Sequence, residues 1–166
     1  MIISGKQAVS QLCPCGSGKM LSQCCSIYLQ GLRSAPTAEA LMRSRYSAYC
    51  LKKIGYLVET EHPSRRKPDS RQQIAATANS VAWRGLTVIL TEAGQTQDNT
   101  GIVEFVAVYH HGRSVAQLHE RSRFLKEDGK WFYTDGDSLP PVRPKKNEPC
   151  WCLSGKKFKQ CHGKQR

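Results

Sequence analysis

The feature that most constrains this chain is a cysteine pattern that occurs once near each end. Both copies read Cys-x-Cys, then eight residues, then Cys followed by Cys in the first copy and by His in the second. Aligned without gaps, segments 13–26 and 150–163 are identical at seven of 14 positions. The chain therefore contains an internal repeat.

Each copy supplies two close pairs of soft or borderline ligands, which suit a tetrahedral zinc ion with no open coordination position. Ser-Gly provides small residues that let the chain turn back, and the next stretch can form about two helical turns. We expect the adjacent ligands at a helix end, because neighbours inside a regular helix point about 100° apart. Iron is the alternative metal, since thiolates bind it too. Redox thiols or disulfides are the alternative to metal binding.

Seven of the eight cysteines lie in the two copies. The opening residues lack a basic start followed by an apolar stretch, and no run of about 18 apolar residues occurs. We therefore expect a cytoplasmic protein without a membrane span. A reducing compartment favours metal ligation by clustered cysteines over disulfides.

The formal net charge is +12, and much of it lies in the last 24 residues. This basic tail is the predicted contact for an anionic partner such as nucleic acid or the ribosome, and a plain solvated tail is the alternative. Only Glu148 opposes its basic residues, which are Arg143, Lys145, Lys146, Lys156, Lys157, Lys159, Lys164 and Arg166.

Between the two copies the sequence changes from helical to strand periodicity. Thr37 is a good N-cap for an amphipathic helix through Leu51, which is expected to break near Gly55. A second helix is predicted over 71–79. Strands are predicted over 82–91, 101–111, 114–127 and 130–135. Tight turns join the last three strands into a meander, and helices followed by strands indicate an α+β fold with helices on one face of a sheet.

Several separated segments carry a resemblance to known bacterial sequences. The two cysteine copies resemble the SEC-C motif, the small zinc-binding tail of the SecA preprotein translocase. Four segments between them, taken together, are similar to the YchJ-like family of SEC-C proteins, and the resemblance covers nearly the whole chain. Those segments are 40–49, 83–86, 103–105 and 119–124.

The resemblance implies a central domain like nuclear transport factor 2, a curved antiparallel sheet that helices wrap into a cone. This α+β domain would occupy 34–140, between a first zinc module at 1–33 and a second zinc module, with its linker, at 141–166. Leu153 replaces the usual Gly of the motif, so the resemblance does not decide the geometry of the turn at this residue. The implied ligands for two zinc ions are Cys13, Cys15, Cys24 and Cys25 in the first module and Cys150, Cys152, Cys161 and His162 in the second.

The favoured function is that of a metal-binding adaptor. Trp151 and Phe158 supply apolar contact beside the lysines of the second module. By resemblance to the SecA tail, the partner would be a SecB-like chaperone or the ribosome. The first module, on a nearly neutral background, is expected to have a structural role.

The alternative function is a cone-fold enzyme or small-molecule binder. Glu120 is the one candidate catalytic residue, because it lies on the more apolar face of its strand, and an ion pair with Arg43 or Arg45 is the structural alternative. Arg121 and Arg123 are predicted on the opposite face, solvated or open to a partner. Six aromatic residues are expected to pack the core, with a pocket as the alternative: Tyr46, Tyr49, Trp83, Phe105, Trp131 and Tyr133.

Overall fold

Four strands that follow one another along the chain form the sheet on which the fold is built. The computed structural model describes residues 11–164. Its helices are α1 (Ser26–Leu29), α2 (Ala38–Cys50), α3 (Ile54–Glu59) and α4 (Ser70–Ser80). Its strands are β1 (Ala82–Ala93), β2 (Thr100–His111), β3 (Ser114–Glu127) and β4 (Lys130–Ser138). Within the described residues, no helix has the length and apolar character that crossing a lipid bilayer requires.

The strands pair antiparallel in the order β1-β2-β3-β4. The register shifts twice between β1 and β2, and once between β3 and β4 after Arg123. Such irregularities bend a strand and increase its twist, and the sheet curves around α2. Leu41 and Met42 of α2 meet Val103 and Phe124 of the sheet in the buried core. The predicted α+β fold with a curved antiparallel sheet is confirmed.

Helix α2 begins as predicted and ends at Cys50, one residue before the predicted end at Leu51. The Thr37 hydroxyl accepts a hydrogen bond from the Ala40 N–H at 3.1 Å, which makes Thr37 the N-cap. After Cys50 the chain reverses at Lys52, which has φ of 55°, and the Lys53 N–H donates back to Ala48 O at 2.8 Å. This is a Schellman-type end with lysine in the place that glycine usually takes.

The predicted break before Tyr56 is present but lies at residues 51–53, and Gly55 itself lies inside α3. Leu57 of α3 packs in a buried cluster with Ala48 of α2 and Ile74 of α4. That apolar contact favours a helix at α3 despite the weak helical propensity of glycine. Local propensity is overridden here by tertiary packing.

The predicted strands and second helix are confirmed, with β1 continuing to Ala93 and β4 to Ser138. Beyond β4 the linker stays extended, as expected, and lies along β3. The Leu139 N–H donates to His119 O at 2.8 Å. The Gln117 side chain donates to Val142 O at 3.1 Å and accepts from the Val142 N–H at 3.0 Å. The chain therefore reaches the second module while held to the sheet.

Candidate metal centres

The first module begins as a tight loop closed by a backbone hydrogen bond from the Cys13 N–H to Lys19 O at 2.8 Å. Gly16 and Gly18 both have φ of 74°, a left-handed conformation that glycine adopts without a steric penalty. The loop therefore returns Cys13 and Cys15 toward the segment that carries the other two cysteines.

Those two cysteines lie at a helix end, as predicted, although one short turn replaces the two helical turns expected. The turn is the 3-10 helix Leu21–Gln23, and Cys24 leaves the helical conformation with φ of −131° and ψ of −111°. Cys25 is the N-cap of α1. The change of direction between them lets adjacent side chains point to one place.

The four sulfur atoms of the first module lie within 4.8 Å of one another. Cys24 Sγ is 3.6 Å from Cys15 Sγ and 3.9 Å from Cys25 Sγ. Thiolates bound at about 2.3 Å to a tetrahedral zinc ion would lie about 3.8 Å apart. The cluster therefore has the donor set and the spacing of a tetrahedral thiolate site.

Close packing shifts the pKa values of thiol groups in this cluster in opposite directions. Hydrogen bonds from Cys15 and then Cys25 lower the pKa of the Cys13 thiol, whereas the bond with Cys13 raises the pKa of Cys25. Neighbouring thiolates repel one another, so the cluster favours one thiolate stabilised by the S–H groups around it. A divalent cation lifts this restriction, because all four thiolates can bind it together.

The second module repeats the backbone of the first. The Cys150 N–H donates to Lys156 O at 2.8 Å, the counterpart of the bond made by Cys13. The 3-10 helix Phe158–Gln160 ends at Cys161, whose φ of −127° and ψ of −110° nearly equal those of Cys24. The repeat in the sequence is therefore also a repeat in three dimensions.

His162 completes the second cluster through Nδ1. This nitrogen lies 3.3 Å from the sulfur atoms of both Cys150 and Cys161, and the sulfur atoms of Cys152 and Cys161 are 3.6 Å apart. One imidazole and one thiolate on a zinc ion would be about 3.6 Å apart. The Trp151 ring packs on the imidazole at 4.4 Å between centroids, which helps to hold its orientation.

The serine shared by both copies has the same role in each. Ser17 Oγ lies 3.2 Å from Cys24 Sγ, and Ser154 Oγ donates to Cys161 Sγ at 3.6 Å. Each hydroxyl also accepts the N–H two residues later, at 3.3 and 3.4 Å. Sequence reasoning assigned these serines only small size, yet their identity in both copies was a signal that they support the third cysteine.

Leu153 keeps the turn that glycine makes in the first module. Its φ is 63°, close to the 74° of the equivalent Gly16. A β-carbon built on Gly85 of β1 would lie 2.3 Å from Leu153 Cδ1, and one built on Gly16 would lie 2.9 Å from Leu86 O. Both modules therefore meet β1 at adjacent residues through equivalent positions of their turns.

Burial separates the two clusters. Cys13, Cys15 and Cys25 are each at most 5% exposed, and Cys24 is half-buried. In the second module only one ligand, Cys150, is buried, and His162 is exposed. The first cluster is thus part of the protein interior, whereas the second lies at the surface.

Helix α2 holds the first cluster in place. Arg43 donates from Nη1 to Cys15 O at 2.8 Å and also pairs with Glu39 at 2.8 Å. Ser47 Oγ lies 3.5 Å from Cys13 Sγ. The contact between Arg43 and Cys15 could not be predicted from the sequence, because no local pattern connects two residues that are far apart along the chain.

The second module exposes a basic surface. Beside it, Trp151 and Phe158 line an open groove of about 450 Å³ with part of the linker. None of the exposed basic side chains there forms an ion pair with another residue of 11–164; Arg166 lies outside the described residues. The exposed residues are Arg143, Lys145, Lys146, Lys156, Lys157, Lys159 and Lys164.

Glu120 lies on the concave face of the sheet but makes no ion pair with Arg43 or Arg45, so that part of the prediction is wrong. Its Oε1 accepts hydrogen bonds from Ser122 Oγ at 2.5 Å and from Tyr133 OH at 3.3 Å. Arg45 instead donates from Nη1 to a carbonyl and a hydroxyl in and after α3. Glu120 borders a cavity of about 230 Å³.

The aromatic residues divide between core and cavity. Trp131 lies in the buried core, as predicted. The other five border the cavity, and among them Tyr46 is buried while Phe105 and Tyr133 also pack against the core, as predicted. These five are Tyr46, Tyr49, Trp83, Phe105 and Tyr133.

Arg121 and Arg123 lie on the outer face, as predicted, but their charges are already balanced. Arg121 pairs with Glu92 at 2.7 Å, and Arg123 pairs with Asp135 and Asp137. Hydrogen bonds from Arg123 lower the pKa of Asp137. A phosphate or acidic partner would have to displace carboxylates to reach this face.

The fold and the two clusters define a class of protein: a curved-sheet domain like nuclear transport factor 2 that carries two cysteine modules, each able to hold a metal ion. Comparison with protein families agrees. The family model described as the YchJ middle NTF2-like domain matches residues 37–136, and the SEC-C motif matches residues 147–164. The chain belongs to the YchJ-like family of SEC-C motif proteins.

Two solved structures are similar to this chain. A SEC-C motif containing protein from Rhodopseudomonas palustris, solved in solution, is 38% identical, with a TM-score of 0.71 over 77% of this chain and 98% of that one. A SEC-C motif containing protein from Psychrobacter arcticus, a crystal structure, is 31% identical, with a TM-score of 0.64 over 92% and 96% of the two chains. The resemblance inferred from the sequence is confirmed.

Proposed function

We propose that this is a cytoplasmic zinc protein in which two zinc modules, 1–33 and 141–166, frame a central domain at 34–140. Its ligands would be the two clusters of four side chains described above. The observation that carries this proposal is the spacing of the donor atoms, which matches tetrahedral zinc in both clusters. The sets leave no open coordination position, so the role of the metal is structural.

Metal content tests this proposal directly. Protein purified without added metal, under reducing conditions, should hold about two zinc ions per chain by elemental analysis. Cys24→Ser and Cys161→Ser should each remove about one ion. Content near zero in the unaltered chain would overturn the proposal, and iron in place of zinc would correct the metal.

The second module serves as the adaptor surface. Its exposed lysines beside Trp151 and Phe158 suit a partner that combines acidic groups with apolar contact. By likeness to the SEC-C tail, a SecB-like chaperone or the ribosome is that partner. The first module is unsuited to this role because residues 11–33 carry only two basic side chains, Lys19 and Arg33.

Binding to a purified SecB-like chaperone and cosedimentation with ribosomes test the adaptor role. The variant Lys156→Glu/Lys157→Glu/Lys159→Glu should bind at least about tenfold more weakly, since the three introduced carboxylates would repel the acidic groups of the partner. The matched control, Lys53→Glu/Lys67→Glu/Arg71→Glu, changes three exposed basic residues of the central domain and should bind normally. Equal loss in both variants would indicate general charge attraction and contradict the assignment.

The free basic residues also favour a second function, nucleic-acid binding by the tail. Contacts to phosphate release counterions, so affinity would fall steeply as salt rises from 50 to 200 mM. A protein surface recognised through Trp151 and Phe158 would lose less affinity in that range. The salt dependence of ribosome binding therefore distinguishes ribosomal RNA from ribosomal protein as the contact.

A further inference from the structure

The cavity on the concave face of the sheet is built from parts that the metal modules do not use. Its volume is about 230 Å³, and residues of α2, of α4 and of all four strands border it. A dry cavity of about 150 Å³ accepts benzene in another protein. This cavity therefore has room for one ring with a short substituent. Six aromatic side chains form much of its wall: Tyr46, Tyr49, Trp83, Phe105, Phe124 and Tyr133.

The carboxylate of Glu120 is held in a fixed position at this cavity. Both hydrogen bonds to it, from Ser122 and Tyr133, use Oε1. Oε2 accepts none from residues 11–164. Gly136 makes the arrangement fit, because a β-carbon there would lie 2.5 Å from Glu120 Oε1. One carboxylate oxygen is therefore left for another partner.

The positive charge of Arg45, which also borders the cavity, is already engaged. Its Nη1 donates to Leu57 O and to Thr60 Oγ1, both at 2.7 Å, and its guanidinium lies 4.8 Å from the centre of the Tyr133 ring. Burial lowers the pKa of Arg45, and the negative charge of Glu61 opposes that effect. The donors of Arg45 Nη1 are thus used by acceptors in and after α3, whereas Glu120 forms no ion pair with another residue of 11–164.

Trp83 supplies a second unused polar group. Its Nε1–H is buried and finds no acceptor among residues 11–164. Buried donors without partners are uncommon in folded proteins. Trp83 borders this cavity and a second one beside α4, and an ammonium group offers its N–H no acceptor.

We propose that this cavity binds a small alkylamine that carries one aromatic ring, with the ring among the aromatic side chains and the ammonium group at Glu120. The aromatic walls bind the ring by apolar contact and also attract a cation through their π faces. The carboxylate of Glu120 would repel an anionic ligand, and a purely apolar ligand would leave its free oxygen without a partner. This site is independent of the zinc modules and of their partner.

Methionine-methyl NMR tests the proposal with a built-in control. Met42 borders the cavity, whereas Met20 lies in the first module. Benzylamine should shift the Met42 methyl signal in a saturable way and leave Met20 unchanged. Benzyl alcohol and benzoate, close analogues that are neutral and anionic, should bind at least about tenfold more weakly, the factor expected for a hydrogen bond to a charged group.

Two variants sharpen the test. Glu120→Gln keeps an oxygen for Ser122 and Tyr133 but removes the charge, and should weaken benzylamine about tenfold while benzyl alcohol binds as before. Glu59→Gln, at an exposed carboxylate, is the matched control. Ala107→Met fills the cavity and should abolish binding. If Ala107→Met does not fold, Leu118→Phe serves as the cavity-filling variant in its place.

Three results would overturn the proposal. The first is that benzylamine causes no saturable shift of the Met42 signal. The second is that benzoate or benzyl alcohol binds as tightly as benzylamine. The third is that Glu120→Gln leaves the affinity for benzylamine unchanged. Thermal unfolding of each variant shows that loss of binding is not loss of fold. None of these results depends on the zinc content or on binding to an adaptor partner.

Discussion

The two modules have the same ligand spacing and the same backbone, yet they belong to different parts of the molecule. Three cysteines of the first are buried and α2 bonds to their loop. The second keeps one buried ligand and an exposed His162, and it meets the sheet mainly through Leu153. The repeated pattern thus determines the shape of a module, whereas the surrounding residues determine whether a module supports the fold or faces outward.

The largest expected difference concerns loss of a ligand. Cys15→Ser should lower the free energy of unfolding of the whole chain by at least about 3 kcal/mol, because the first cluster is part of the core. Cys152→Ser, its counterpart in the repeat, should leave the unfolding of the central domain within about 0.5 kcal/mol of its original value. Denaturant unfolding followed by tyrosine and tryptophan fluorescence measures both. Equal effects would remove the distinction between the modules.

Metal removal should follow the same order. A chromogenic chelator in excess should strip the second module at least about tenfold faster, since exposed ligands open more readily than buried ones. The colour change of the chelator should show two phases of about one zinc ion each. In Cys161→Ser the fast phase should be missing, and a single phase in the unaltered chain would contradict the prediction.

The tether from α2 should have a smaller effect. Arg43→Ala removes the bond to Cys15 O and should cost about 1–2 kcal/mol of stability, as expected for a charged hydrogen-bond donor that is partly buried. Arg143→Ala, at an exposed residue beside the second module, should cost less than about 0.5 kcal/mol. If Arg43→Ala were equally neutral, α2 would not be what stabilises the first module.

The smallest effect is expected at the turn of the second module. Leu153→Gly relieves a left-handed conformation that costs a non-glycine residue about 1 kcal/mol but removes the contact with Gly85. Overall stability should therefore change by less than about 1 kcal/mol. NMR relaxation should nevertheless show residues 147–164 moving more freely relative to the sheet, and unchanged relaxation would mean that Leu153 does not anchor the module.

Much of this molecule could be predicted from its sequence. Thr37 marked the start of α2, alternating side chains marked the strands, and the repeated cysteines marked both clusters. The turn between α2 and α3 could not be placed, since Lys52 takes a conformation typical of glycine while Gly55 lies in a helix. Nor could the partners of Glu120, because its bond to Tyr133 and its place over Gly136 depend on how β4 registers against β3.

The contact between Leu153 and Gly85 also links how these two positions can change over time. A side chain added at residue 85 would require the end of the Leu153 side chain to move. A glycine at residue 153 would remove that requirement. Related sequences are therefore expected to vary at the two positions together.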